Sequence, residues 1–243
     1  NARAFGVQDY IAQLMFNSPA ELSDKMDLAK MLAILEMIAP LALTPGPSPI
    51  GRGEFLTPDP SPEGRGEYFR IWKQTRTGLL SYPVEENAAR AHLAASIYLQ
   101  MALRPDIIHI VGHTEADHAA TAEDVIAAAR MARRAIENAM GQPDLGADPA
   151  VQERQAELVE QAGVTLEAIK SIAPASCPDA WTDPATLARC VSLGILDAPQ
   201  LKNNRFGRGQ IVARIDGRGA NLAVHQKTGK FLTEEERIKQ LET

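Results

Sequence analysis

The sequence predicts an α/β protein in which strands and helices alternate. Three observations carry that expectation. Residues 106–112 form a short, almost continuous apolar run, the pattern of a strand covered on both faces of a parallel sheet. Residues 69–75 are aromatic and β-branched, with Gly78 close behind, and read as another strand. Between and after these runs lie Ala-rich stretches with helical spacing. Strand, helix, strand, helix with short connections is the βαβ unit.

The elements follow in chain order. Ser23 or Asp24 can cap a helix over about 25–39, where Leu28, Met31, Leu32, Leu35 and Ile38 make one apolar stripe. Residues 84–103 carry acids in the first turn and alanines throughout, a strong helix signal that Arg104-Pro105 ends. Thr121 and Asp124 cap a long helix over about 122–140, with Val125, Ala129, Ala132 and Ile136 expected inward and Arg130, Arg133 and Arg134 outward. Residues 150–163 and 165–173 read as two helices divided by Gly163, and a short helix is expected over 184–193. Residues 210–214 and 220–224 alternate about Asp216-Gly217-Arg218-Gly219, a hairpin pattern. A polar helical tail starts at Thr233.

A duplicated unit interrupts this order. Residues 43–54 recur at 56–67 with ten of twelve positions identical, the exceptions being Gly46/Asp59 and Ile50/Glu63. Each copy holds three prolines, and proline and glycine together oppose both helix and sheet ladder. The segment is expected to be a disordered insert, resembling mobile repeat sequence translated into a host protein. The chain also opens at Asn1, within what reads as an ongoing segment, and is therefore expected to be part of a longer protein.

Composition narrows the class of function. The chain has 45% hydrophobic and 23% charged residues, which suits a globular protein. A formal charge of −6 argues against nucleic acid or an anionic membrane as the main partner, because phosphate binding needs a basic surface. No apolar run approaches the length of a membrane span. Two cysteines, Cys177 and Cys190, allow at most one bridge, so a reducing cytoplasmic setting is expected.

The chemistry-bearing cluster is His113-Thr114-Glu115-Ala116-Asp117-His118, directly after the strand expected at 106–112. In parallel α/β folds ligands bind outside the carboxyl ends of strands, where this cluster falls. The residues can cap the next helix, contact a ligand through His113, Glu115 and His118, or hold a metal. The spacing does not match HExxH, and only His92, His109 and His225 remain to complete a zinc set. His109, inside the strand, reads as a core histidine. Lys73, Thr75, Arg76 and Thr77 occupy the end of the preceding strand, where cations and hydroxyls can grip a carboxylate or phosphate. The glycines near Arg205 and Arg218 read as turns, since strand–turn–helix context for a nucleotide loop is lacking. Cys177 has no paired histidine that would make it a nucleophile.

At residues 15–41, 73–80 and 91–139 the chain resembles the carboxyl-terminal portion of the lysine 5,6-aminomutase large (alpha) subunit. The likeness includes a Met/Phe…Pro-Glu-Leu entry, a Thr-Gly segment and the core Thr114, Glu115, Ala116 and His118; Leu193–Asp197 and the Gly-rich stretch after it are also similar. The resemblance implies a TIM barrel that works with a smaller cobalamin-binding subunit. Together the two use adenosylcobalamin and pyridoxal phosphate to move the terminal amino group of lysine, or a related diamino acid, to the adjacent carbon. It implies that the small subunit supplies the Schiff-base lysine and the cobalt ligand. Residues 69–75 and 106–112 would be late barrel strands. On this division 1–42 is a helical segment of a barrel fragment, 43–67 the insert, 68–141 a βαβα segment, and 142–243 a helical and hairpin accessory tail. His113, Glu115 and His118 are then the candidate catalytic residues, and Lys73, Thr75 and Arg76 the candidate cofactor-binding ones.

Two other classes compete with this expectation. One is a stand-alone metal-dependent or acid–base enzyme using His113, Glu115 and His118. The other is a non-catalytic accessory or interaction domain.

Overall fold

Residues 9–16 alternate, with Ala12, Leu14 and Phe16 on one side and Ile11, Gln13 and Met15 on the other, and form a strand, β1 (Asp9–Phe16). The computed structural model describes residues 2–42 and 69–241. The duplicated insert at 43–67 lies outside the described residues. Helix α1 (Asp24–Ile38) follows β1, then β2 (Arg70–Thr77), α2 (Glu86–Gln100), β3 (Ile107–His109) and α3 (Ala122–Ala139). The three strands form one parallel sheet in the order β1-β2-β3. The fold is thus mixed α/β, with strands and helices alternating as expected.

The register decides which side chains meet the helices. Leu14 pairs with Thr75 and Phe16 with Thr77, while Thr75 also pairs with Ile108. This face of the sheet is buried. Leu14 and Phe16 cluster with Leu28, Ala29 and Met31 of α1, with Leu99 of α2 and with Leu103 just past its end. A second cluster joins Leu93 and Ile97 of α2 to Ala128, Ala132 and Ala135 of α3. The opposite face carries Ile11, Met15 and Ile107, which are 49%, 36% and 38% exposed. Among the described residues the sheet is therefore covered by helices on one face only. That corrects the expectation of a strand buried on both faces at 106–112, which also narrows to the three ladder residues of β3.

Local signals explain the element ends. Glu85 caps α2 by accepting from the Asn87 and Ala88 amides, and Thr121 and Asp124 make a reciprocal capping box on α3. Ser23 is the N-cap of α1 but its hydroxyl donates instead to the Arg218 carbonyl, tying α1 to the distant hairpin turn. The buried stripe of α3 is Ala128, Ala132, Ala135 and Ala139, while Val125 is 58% exposed. The expected inward set is turned by about one position, because alanines let α2 and α3 approach closely where larger side chains would hold them apart.

The two helices expected around Gly163 are one, α4 (Pro149–Ile172). A single glycine weakens a helix without breaking it when the helix is packed on both sides of it. Here Val151 sits in the main core and Ile169 in a smaller cluster with Cys190 of α5 (Pro184–Leu193) and Ile195. A methyl group at Gly163 would meet nothing within 4 Å. Gly163→Ala is therefore expected to stabilise the protein by about 0.5–1 kcal/mol. A raised urea midpoint at unchanged slope checks this; a lowered midpoint would show strain at that position.

The chain ends in an antiparallel hairpin, β4 (Val212–Ile215) and β5 (Asn221–Val224), and a short helix, α6 (Glu234–Lys239), capped by Thr233 and Glu236. Cys177 and Cys190 are both free. No helix among the described residues is long and apolar enough to cross a membrane.

Candidate functional site

The carboxyl ends of the three strands run into loops that meet one another. Gly78, just past β2, donates its N–H to the Phe16 carbonyl at 2.7 Å. A Cβ there would stand 2.9 Å from the Asn17 carbonyl oxygen, so only glycine permits this approach. The loop then places Ser81 against His92 of α2, with the Ser81 hydroxyl 2.7 Å from Nε2. Tyr82 packs edge-on against the same ring and donates to the Val111 carbonyl at 2.9 Å. Burial pushes the Tyr82 phenol up to about 12 and lowers the pKa of His92, so both neutral forms are favoured.

Beneath these loops lies a buried polar ladder. Asn17 follows β1 in the left-handed region at φ 54°, a conformation asparagine tolerates. Its amide donates to Asp27 Oδ2 at 2.5 Å, and its side-chain oxygen accepts from the Ser96 hydroxyl at 2.7 Å. Ser96 spends its one proton on Asn17, so Thr77 donates to Ser96 across 2.8 Å. The Gln100 amide then donates to both hydroxyls, at 3.0 and 3.1 Å. Asp27 is fully buried and pairs through Oδ1 with Lys30 Nζ at 2.8 Å, while Lys30 also donates to the Ser18 carbonyl at 2.6 Å. The sequence reading missed this ladder. Its members lie on four elements, and the one local signal was Asn17-Ser18-Pro19 closing an apolar run.

The cluster at 113–118 is adjacent in sequence but divided in space. His113 is 3% exposed and turned inward, with Arg90 Nε 3.5 Å from its Nε2. A neutral ring accepting there carries its proton on Nδ1, which is buried and lacks a partner among the described residues. The Glu115 carboxylate turns back to accept from the Gly112 amide at 2.6 Å, closing the turn. His118 is exposed, with Nδ1 3.0 Å from Asp117 and Nε2 3.7 Å from Asp124 at the start of α3. The Asp117 hydrogen bond raises its pKa, with Asp124 adding to the effect. The backbone bonds from the Asp117 and His118 amides to the Thr114 carbonyl hold the turn itself.

The residues expected to grip an anion also part company, because side chains alternate along a strand. Lys73 and Thr75 point to the helix-covered face. The Lys73 ammonium donates to the Leu103 carbonyl at 2.7 Å, and Thr75 is fully buried. Arg76 lies on the open face, in register with Met15 and His109. His109 is exposed there and not in the core as expected, since β3 is an edge strand with one uncovered face. Among the described residues no three His, Cys, Asp or Glu side chains gather in a way that could hold a metal ion. No protein-family model matches the chain, and no curated protein sequence does.

Proposed function

We propose that this chain is the late-strand portion of an aminomutase barrel that uses adenosylcobalamin and pyridoxal phosphate on lysine or a related diamino acid. The observation that carries the reading is the parallel sheet with helices of the described residues on one face only, made from successive strand–helix units in chain order. All-parallel sheets are covered on both faces, and in a barrel the inner face is covered by the remaining strands. The open row of Ile11, Met15, Trp72, Arg76 and Ile107 suits that inner face. The resemblance at residues 15–41, 73–80 and 91–139 supplies the chemistry.

The anion-holding residues favour part of this reading. Arg76 lies on the open face with no hydrogen bond or ion pair to a described residue, and fits the phosphate of pyridoxal phosphate. Lys73 and Thr75, tied to or buried against the helices, do not fit it. Pyridoxal phosphate with adenosylcobalamin supplies imine stabilisation and a radical source, and the protein orients the reacting groups and excludes water. In this chain Arg76 would orient the anionic end. The turn at 113–118, with His113 inward and Glu115 and His118 at its rim, would border the substrate amine and handle its protons. Cobalt ligation and the Schiff-base lysine belong to the small cobalamin-binding subunit in this reading.

The test is reconstitution. The chain alone is expected to show no amine migration with both cofactors. Combined with the remaining barrel strands and the small subunit, it is expected to turn over lysine. In that assembly Glu115→Gln or His118→Ala should lower turnover by about tenfold, the scale of a lost positioning or proton-handling group. Full turnover from both variants would remove the turn from the site. Robust activity from the chain alone would overturn the class.

A further inference from the structure

The open face of the sheet has two halves that differ in how their charges are satisfied. At the amino-terminal end Asp9 accepts from Arg70 at 2.7 Å and from the Trp72 indole at 2.9 Å, and the Arg70 guanidinium lies 4.2 Å over the Trp72 ring. That end is closed on itself. At the carboxyl end the in-register row is Met15, Arg76 and His109, and the row beneath it is Gln13, Gln74 and Ile107. Neither row holds a carboxylate.

Arg76 is the exception among comparable arginines. Of the described arginines that are not exposed, Arg90 pairs with Glu86, Arg154 with Glu157 and Arg237 with Glu234. Arg76 alone has no hydrogen bond or ion pair to a described residue, although its Nε is shut off from solvent. A buried donor on a cation is costly when left without an acceptor. The fold keeps such a group at the carboxyl ends of parallel strands, the place where α/β proteins bind ligands. His109 stands beside it on the neighbouring strand, exposed and without a described partner.

We propose that Arg76 and His109, with the Gln74 amide below them, form an oxyanion site for a carboxylate or a phosphate monoester. The guanidinium offers a planar pair of donors that matches either anion, and the imidazole adds a donor from the next strand. This deepens the aminomutase reading by naming the residues that would grip its anionic group, and rests on that reading only for which anion is the natural one. The turn at 113–118 is not needed for it.

The test uses the full chain with isotope-labelled histidine, at fixed pH and ionic strength. Inorganic phosphate, acetate and pyridoxamine phosphate are titrated separately, with pyridoxamine as the uncharged-tail control, and His109 is assigned through His109→Asn. The His109 ring signals should move saturably with an oxyanion, and the better of phosphate and acetate identifies the source. Arg76→Gln should weaken this response by roughly tenfold or more, the scale of a lost charged hydrogen bond, and Arg76→Lys by less. Arg70→Gln, at the closed end, should leave it unchanged. Signal dispersion of the other histidines shows that each variant is folded. No movement of His109 with any oxyanion, or equal weakening by Arg70→Gln, would overturn the site. Failure of reconstituted turnover with oxyanion binding intact would instead count against the aminomutase reading alone.

Discussion

Phe16→Ala is expected to destabilise the protein by about 3–5 kcal/mol, the range for emptying a buried aromatic position. Phe16 is fully buried at the carboxyl end of β1. It belongs to the buried cluster that also holds Leu28 and Met31 of α1, Leu99 of α2 and Val151 of α4, where the sheet meets these helices. Removing it leaves a void walled by separate elements, none of which can collapse into it alone. Phe16→Leu fills most of the space and should cost less than half as much. Urea unfolding of the two variants checks the pair; equal losses would mean that the ring is not a packing element. The same comparison tests β1, because an exposed loop residue at position 16 would tolerate either change.

Asp27→Ala is expected to cost about 3 kcal/mol, near the low end for removing one partner of a buried ion pair. It strands the Asn17 amide and takes the carboxylate from Lys30, which keeps the Ser18 carbonyl and some exposure. Burial raises the Asp27 pKa above its ordinary value, against the pull of Lys30 and of the Asn17 amide. For a group whose native pKa is raised, its contribution is fully present below the unfolded pKa and is lost as pH rises through the native one. Lys30→Met removes the opposing ammonium and moves the Asp27 pKa further up. The deficit of Lys30→Met relative to the parent should therefore be larger at about pH 8 than at about pH 5, as the carboxyl takes a proton. Asp27→Ala, which has no carboxyl to titrate, should lack that trend relative to Lys30→Met. A Lys30→Met deficit that does not vary with pH would show that the pair is not ionic.

Several parts of this molecule were legible in its residues. The helices at 24–38, 86–100, 122–139 and 184–193 follow from apolar spacing, first-turn acids and caps, all of which act within a few residues. The hairpin about Asp216–Gly219 follows from alternation and turn chemistry in the same way. β1 escaped because both of its faces carry apolar residues, Ile11 and Met15 as well as Leu14 and Phe16, which hides the two-residue period. Gly163 misled because a local helix penalty of about 1 kcal/mol is small beside tertiary packing.

The candidate site divides along the same line. His113, Glu115 and His118 stood out because they are contiguous, yet contiguity in a turn sends successive side chains in different directions. The separation of Arg76 from Lys73 and Thr75 was readable from strand alternation once the strand was known. The partnership of Arg76 with His109 was not, since it depends on parallel register between strands joined through α2. Nor was the ladder from Asp27 to Gln100, whose members come from β2, α1, α2 and the loop after β1. The sequence by itself determined the alternation of strand and helix, the caps and the placing of polar loops after strands, because these rest on short-range periodicity and hydrogen bonding. Only the tertiary structure decided which face of the sheet is covered, which polar groups are buried together and which half-buried arginine is left without a carboxylate among the described residues. Those outcomes depend on register and packing between segments far apart in the chain, and no local pattern encodes them.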